Sequence, residues 1–278
     1  MPCCSCEDIA LYYEVQGEGP PLLFISGLGG GAWTWYGQTP YFKESYRTII
    51  FDNRGAGRSG SPPGPYRMEQ FARDALCLLD LLEVKETFVA GISMGGMIAQ
   101  ELALLAPERV RALVLGCTHC GGEIAVSPAH EVLEILMNNE GLTHEEIVKK
   151  NLPIFFSEDF LRNRPEKIAD YVRVQVETPR QPDHAHRAQL AAIHSFDASD
   201  RLPEMHIPTL VLTGSRDLVI PRENSYLLAE MIPGAEIVML PGAGHGIQVE
   251  CADEFNTIAD HFIRQVAEED AVEGIQEP

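Results

Sequence analysis

The chain predicts an α/β domain: a mostly parallel, doubly wound sheet carrying an inserted helical cap. Three observations carry that prediction. Short apolar, β-branched runs alternate with helical periodicity along most of the 278 residues. Turn residues close most of the runs. Between residues 121 and 201 the alternation stops, and only helical patterns remain.

Seven runs read as strands: ALYYEV (10–15), PLLFIS (21–26), RTIIFD (47–52), TFVAG (87–91), RALVLG (111–116), PTLVLTG (208–214) and AEIVML (235–240). Several are apolar throughout, as parallel strands covered on both faces require. Met68, Phe71, Ala75, Leu78, Leu79 and Leu82 share one helical face. Residues 97–105 are apolar almost all round, which predicts a buried helix. Residues 223–231 and 254–266 supply two more helices, and the acidic chain from Glu268 onward reads as frayed. Four helical patterns fill the interruption: HEVLEILMNNE, HEEIVKKNL, EKIADYVRVQV and HAHRAQLAAIHSF. The predicted organisation is therefore a core in two parts, 1–120 and 202–278, with a cap at 121–201.

Composition excludes several classes. Hydrophobic residues make up 45%, enough for a sizeable core. Lys and Arg number 21 against 41 Asp and Glu, a net charge of −20. Such a chain repels nucleic acid and anionic lipid, and no basic run reverses this locally. The start, MPCCSCEDIALYY, lacks the basic and apolar regions of a secretory signal. The longest apolar stretch, 88–99, is broken by Gly91, Gly95 and Gly96 and is too short for a bilayer. The expectation is a cytoplasmic protein with a small-molecule partner, its oligomeric state left open. The seven cysteines (Cys3, Cys4, Cys6, Cys77, Cys117, Cys120 and Cys251) are odd in number and scattered, which predicts reduced thiols rather than a disulfide framework. The first three read as a frayed, reducible terminus. Cys117 and Cys120 form a C-x-x-C without the second pair that a zinc site needs, so no metal is expected.

The stretch VAGISMGG (89–96) carries the chemistry. A G-x-S-x-G pattern means little alone, but here an apolar strand leads in and a helix leads out. Gly91 and Gly95 relieve crowding around a serine on a tight turn, and Gly96 lets the helix approach the sheet. The Met94 N–H then lies at a helix start, suited to an oxyanion. A hydroxyl nucleophile needs a base, and the base needs an orienter. GSRDLVIP (214–221) puts Asp217 just after one strand, and LPGAGHGIQVE (240–250) puts His245 just after the next. The order Ser93, Asp217, His245 fits a triad on this architecture. FISGLGGG (24–31) offers a second oxyanion donor at the Leu28 N–H, with Gly27 and Gly29 permitting close approach.

These segments, with LYYEVQGEGPPLLFISGLGG, FDNRGAGRS and PTLVLTGSRDLVIP, resemble the α/β-hydrolase superfamily over nearly the whole chain. The resemblance is nearest to the capped esterases and lactonases, including 3-oxoadipate enol-lactonase-like and cofactor-free haloperoxidase-like proteins. It implies an α/β-hydrolase fold and a serine hydrolase for a small carboxylic ester or lactone, working through an acyl-enzyme without cofactor. It maps the nucleophile, acid and base onto Ser93, Asp217 and His245, and the oxyanion donors onto Met94 and Leu28. Relatives usually carry His where this chain has Ser26; Ser26 either braces the loop or faces the substrate. Serine at position 93 argues against the dehalogenase and epoxide-hydrolase branches, which use Asp there. Carbon–carbon hydrolysis, elimination, perhydrolysis and a non-catalytic ligand receptor remain as alternatives on the same scaffold.

Other motifs weigh less. GAGRSG (55–60) matches a dinucleotide fingerprint, but SPPGP (61–65) follows where a helix must open. The resemblance implies a structural turn there, with Asp52 and Arg54 in polar contacts. Candidate pocket residues are Ser26, Trp33, His119 and His194, each with a packing alternative. His184 and His186 read as solvated. Met137, Leu152, Phe155 and Phe156 either line an entrance or pack the cap.

Overall fold

The computed structural model describes residues 3–6 and 8–276. Eight strands form one sheet: β1 (Cys3–Cys6), β2 (Ile9–Gln16), β3 (Pro21–Ile25), β4 (Arg47–Phe51), β5 (Thr87–Ile92), β6 (Val110–Gly116), β7 (Thr209–Gly214) and β8 (Glu236–Leu240). Their order is β1-β2-β4-β3-β5-β6-β7-β8. β2 runs antiparallel to β1 and β4, and all other neighbours are parallel. The seven predicted strands are β2 to β8, with ends shifted by a residue or so.

β1 corrects the expectation of a frayed terminus. It pairs with β2 from Cys3↔Tyr12 to Cys6↔Ile9. Cys6 is buried and forms a disulfide with Cys77, 71 positions away, so not every cysteine is a free thiol. Three cysteines in four residues lack the β-branched and aromatic signal of a strand. A partner that remote leaves no trace in local spacing.

The helices are α1 (Thr39–Phe42), α2 (Met68–Leu81), α3 (Met94–Leu105), α4 (His130–Met137), α5 (His144–Phe155), α6 (Glu158–Asn163), α7 (Pro165–Glu177), α8 (Asp183–His194), α9 (Glu223–Met231), α10 (Ile247–Glu250) and α11 (Ala252–Gln276). Successive strand residues point to opposite faces. Leu23, Ile25, Val89, Leu113 and Val211 pack with α2, α3 and Leu228 of α9. Leu22, Phe24, Ala90, Val114 and Leu212 pack with Phe42 of α1 and with Phe255 and Phe262 of α11. Both faces are thus covered, which is why β5 and β7 are buried at every position. α11 continues to Gln276 instead of fraying at Glu268. Asp270 pairs with Arg111 of β6 at 2.5 Å, a tertiary contact that an acidic composition does not reveal.

The stretch between β6 and β7 holds α4 to α8 and no strand. Its two ends meet. Gly121 bridges Asp197, the Ala198 N–H donates to Cys120 O at 2.8 Å, and the Gly122 N–H donates to Phe196 O at 3.1 Å. An insertion that leaves and returns at one point does not disturb the β6–β7 pairing. α6, only six residues long, was too short to show a period; Ser157 caps it by accepting from the Phe160 N–H. α8 buries Ala185, Ala188, Gln189 and Ala192 against the core. Among the described residues, no helix is long and apolar enough to cross a membrane.

Candidate active site

The turn from β5 into α3 carries Ser93 at φ 55°, ψ −124°, outside the regions open to most residues. Holding it there costs about 1–3 kcal/mol, which the surrounding packing must offset. The turn closes only because of its glycines. A Cβ on Gly91 would sit 2.3 Å from Gly95 O, and one on Gly95 would sit 2.0 Å from Ile25 O. One on Gly96 would strike Thr118 at 2.6 Å, so that glycine sets how closely α3 lies on the chain after β6. Two hydrogen bonds pin the serine backbone: its N–H donates to Gly116 O, and Thr118 Oγ1 donates to Ser93 O, both at 2.8 Å. Met94 opens α3, where first-turn N–H groups have no intrahelical partner.

Asp217 and His245 follow β7 and β8, so they reach the same carboxyl edge as Ser93. His245 Nδ1 lies 2.9 Å from Asp217 Oδ2, and both side chains are buried. Asp217 Oδ1 accepts from the N–H groups of Val219 (2.9 Å) and Ile220 (2.8 Å). The carboxylate is therefore aimed by its own turn. Cys117, at φ 44° just after β6, is buried beside the pair. Its Sγ, an Asp217 oxygen and a His245 nitrogen lie within 4.8 Å of one another. Burial, and then the Asp217 carboxylate, pushes the thiol well above its ordinary value, so it stays protonated. The three groups form a hydrogen-bonded Asp–His pair with a thiol at its back.

The loop after β3 passes over the serine. A Cβ on Gly27 would lie 3.2 Å from Ser93 Cβ and 3.7 Å from Oγ. Its base is tied three ways. Asn53 Nδ2 donates to Ser26 O (2.8 Å), Ser26 Oγ donates to Gly31 O (2.7 Å), and the Ala32 N–H donates to Asp52 Oδ1 (2.8 Å). The Gly30 N–H turns back to Gly27 O, while the Gly29 N–H donates to Gln189 Oε1 of α8 at 2.8 Å. Among the described residues no acceptor is paired with the Leu28 N–H.

Comparison with known proteins identifies the framework. The model of the α/β-hydrolase fold family matches residues 20–251. The chain belongs to the α/β hydrolases. It is 32% identical over 272 residues to the putative carbamate hydrolase RutD of Azorhizobium caulinodans, covering 96% of this chain and 99% of that protein. It is 30% identical over 263 residues to 3-oxoadipate enol-lactonase 2 of Acinetobacter baylyi, covering 94% and 96%. The crystal structure of the enol-lactonase from Burkholderia xenovorans LB400 superposes with a TM-score of 0.82 at 27% identity, covering 95% of this chain and 100% of that one. The protein is thus a hydrolase with relatives named for two kinds of substrate.

The remaining candidate residues of this hydrolase divide. Ser26 is fully buried with its hydroxyl on Gly31 O, so it braces the loop rather than lining a pocket. Trp33 is half-buried, and its Nε1 donates to Gln175 of α7 at 3.3 Å. His119 Nδ1 accepts from the Gly121 N–H at 2.9 Å, and burial lowers its pKa to about 4. It is therefore a neutral imidazole whose other nitrogen carries the proton. His194 is exposed at the end of α8, which corrects its placement as a cleft residue. His184 and His186 are not simply solvated: they bond Ser61 O and Gln181 Oε1, each at 3.0 Å. Phe155 puts its ring centroid 5.5 Å from that of His245, whereas Phe156 packs on Phe160 and Tyr171. Met137 is exposed.

Sequence reasoning missed Gln189 and Glu250. Glu250 accepts from the Gly244 N–H (3.0 Å), the Ser157 N–H (3.2 Å) and the Ser157 hydroxyl, tying the His245 loop to the chain before α6. Neither residue belongs to a local pattern, so no sequence signal marks it. A depression of about 670 Å³ lies between α5 and α7, lined by Leu152, Ile168, Val172 and Val176; none of the site residues above borders it.

Proposed function

We propose that this hydrolase cleaves a small carboxylic ester or lactone through an acyl-enzyme on Ser93. The observation that carries the reading is the 2.9 Å hydrogen bond between His245 and Asp217, on the sheet edge where Ser93 sits on its strained turn. In this reading His245 Nε2 takes the Ser93 proton as Oγ attacks the carbonyl carbon. Asp217 holds the tautomer with its proton on Nδ1 and stabilises the imidazolium that forms. The N–H groups of Met94 and Leu28 receive the oxyanion; a single such donor is worth roughly 10²–10³ in rate. His245 then returns the proton to the leaving oxygen. In the second half it activates water to release the acid. For a lactone, leaving group and acid are ends of one product molecule.

No step calls on a cofactor or a metal. Residues 121–201 serve as the cap, with Phe155 beside His245 and α8 on the loop at Leu28 supporting that role. The relative named a carbamate hydrolase favours one second substrate class. A carbamate carbonyl meets the same nucleophile and passes through a carbamoyl-serine.

A fluorophosphonate probe tests the nucleophile, and a panel of short esters, lactones and carbamates tests the substrate. The expected result is labelling of wild type but not of Ser93→Ala, with turnover of esters or lactones. Folded wild-type protein that is neither labelled nor active on the panel overturns the reading in favour of a ligand receptor. Labelling with turnover of carbamates alone keeps the nucleophile and replaces the substrate class.

A further inference from the structure

We infer that Gln189 is a positioning residue for the oxyanion hole: its amide, projecting from α8 of the insertion, holds the tip of the 26–32 loop and with it the Leu28 N–H. The inference rests on the proposed role of Leu28.

Gln189 is fully buried, and both ends of its amide are used. Oε1 accepts from the Gly29 N–H at 2.8 Å, and Nε2 donates to Arg54 O at 2.7 Å. A flipped amide would set nitrogen against N–H and oxygen against carbonyl, so the orientation is determined. The far end of the clamp is rigid. Arg54 is buried, and its Nε lies 2.6 Å from Asp74 Oδ2. The near end is the one part of the loop that its base contacts do not reach. Asn53, Ser26 and Asp52 tie residues 26, 31 and 32. The tip, Leu28 and Gly29, lies between.

Gly29 adopts φ +67°, and a Cβ there would lie 2.9 Å from Gln181 Oε1. Gln181, just before α8, donates to Gly55 O at 3.0 Å. The tip therefore fits closely under α8. Leu28 has Gly27 over Ser93 on one side and the tethered Gly29 N–H on the other. Without the Gln189 amide, the Gly29 N–H loses its acceptor in a partly buried setting. The peptide that carries the Leu28 N–H also presents Gly27 O to the Gly30 N–H at 3.0 Å. Its direction therefore depends on the 27–30 turn, whose outer peptide, Leu28–Gly29, is the one that Gln189 holds. With glycines on both sides of Leu28, that turn changes type at little cost once the clamp is lost. An oxyanion donor works only when its direction is settled before charge develops.

The test uses the full-length protein as wild type, Gln189→Met and Gln189→Glu. The ligands are the ester that wild type turns over best and, as an inhibitor, a phenylboronic acid, whose serine adduct has a tetrahedral boron with an oxygen at the oxyanion position. Met keeps the length and removes both hydrogen bonds. For Gln189→Met the expectation is a loss of about 10- to 100-fold in kcat, the scale of misplacing one catalytic group. KM should stay near wild type, and boronate affinity should fall by a similar factor. Gln189→Glu, once protonated, again offers an acceptor and a donor. Its kcat relative to wild type should rise as pH is lowered, whereas the Gln189→Met ratio stays flat.

A folded Gln189→Met with wild-type kcat and boronate affinity overturns the inference. So does a loss confined to thermal stability. If Gln189→Met does not fold, a Gln189→Glu ratio that is independent of pH overturns it. Wild type that is neither labelled by fluorophosphonate nor active sinks the functional reading itself. Active wild type with an indifferent Gln189→Met sinks this inference alone.

Discussion

Ser93 and Leu28 occupy two turns on one sheet edge, and the two turns are held in opposite ways. The Ser93 turn is fixed largely by its own backbone: a strained serine, three glycines within five residues of it, and the strands on either side. The Leu28 turn, closed by the Gly30 N–H on Gly27 O, is anchored to the rest of the molecule by side chains from elsewhere. Asn53 and Asp52 come from the chain after β4, and Gln189 comes from α8, 160 positions beyond Gly29. On the proposed reading, a nucleophile must be aimed within narrow limits and gains from a rigid turn close in sequence. The donor loop sits where core and insertion meet, so it can be adjusted by the insertion without altering the sheet.

The largest break in that comparison comes from Ser93 itself. Ser93→Ala should lower kcat by roughly 10⁴- to 10⁶-fold, the scale of removing a nucleophile that acts as part of a unit. Thermal stability should hold or rise, because the hydroxyl is lost and the fold is not; steady-state kinetics and a melting curve check the two halves. Next is Gly95→Ala. With its Cβ only 2.0 Å from Ile25 O, the substitution forces backbone apart and should cost about 3 kcal/mol, the upper range for overpacking. Chemical denaturation measures it, and a change within error would show that the turn is looser than its geometry implies.

His119 separates the regions by pH, because it follows the Thr118 that pins Ser93. Burial lowers its folded pKa to about 4, whereas the unfolded chain takes up the proton near 6.5. Protons therefore favour the unfolded state. The contribution is fully present above about pH 6.5 and is lost as pH falls through about 4, amounting to roughly 3 kcal/mol. In His119→Asn, stability measured across that window should fall less steeply than in wild type. An identical slope would remove His119 from the account. The smallest effect belongs to the loop base. Ser26→Ala deletes one hydrogen bond to Gly31 O and should cost about 1 kcal/mol, with little change in kcat while Gln189 still holds the tip. A large fall in kcat from Ser26→Ala would move control of Leu28 from the tip to the base.

The seven apolar strands, the helical interruption and the order of Ser93, Asp217 and His245 were legible in the sequence, because each depends on local period or on residues beside a strand end. What was hidden shares one property. β1 rests on a pairing with β2 and a disulfide to Cys77 in α2. Near its end α11 meets β6 through Asp270 and Arg111. His194 is a different case: it lies on the side of α8 opposite Ala185, Ala188, Gln189 and Ala192 and is exposed.

By itself the sequence determined the layered α/β core and the strained serine turn, since glycine tolerance, strand period and helix starts act over a few residues. Only the tertiary structure decided which amide holds the tip of the Leu28 loop, which carboxylate ties down the His245 loop and which thiol lies behind Asp217. The amide and the thiol meet partners a hundred or more residues away, and Glu250, six residues from Gly244, ties it to Ser157, 93 residues away. Nothing in a chain's local pattern encodes a partner that only the folded packing brings within 3 Å or so.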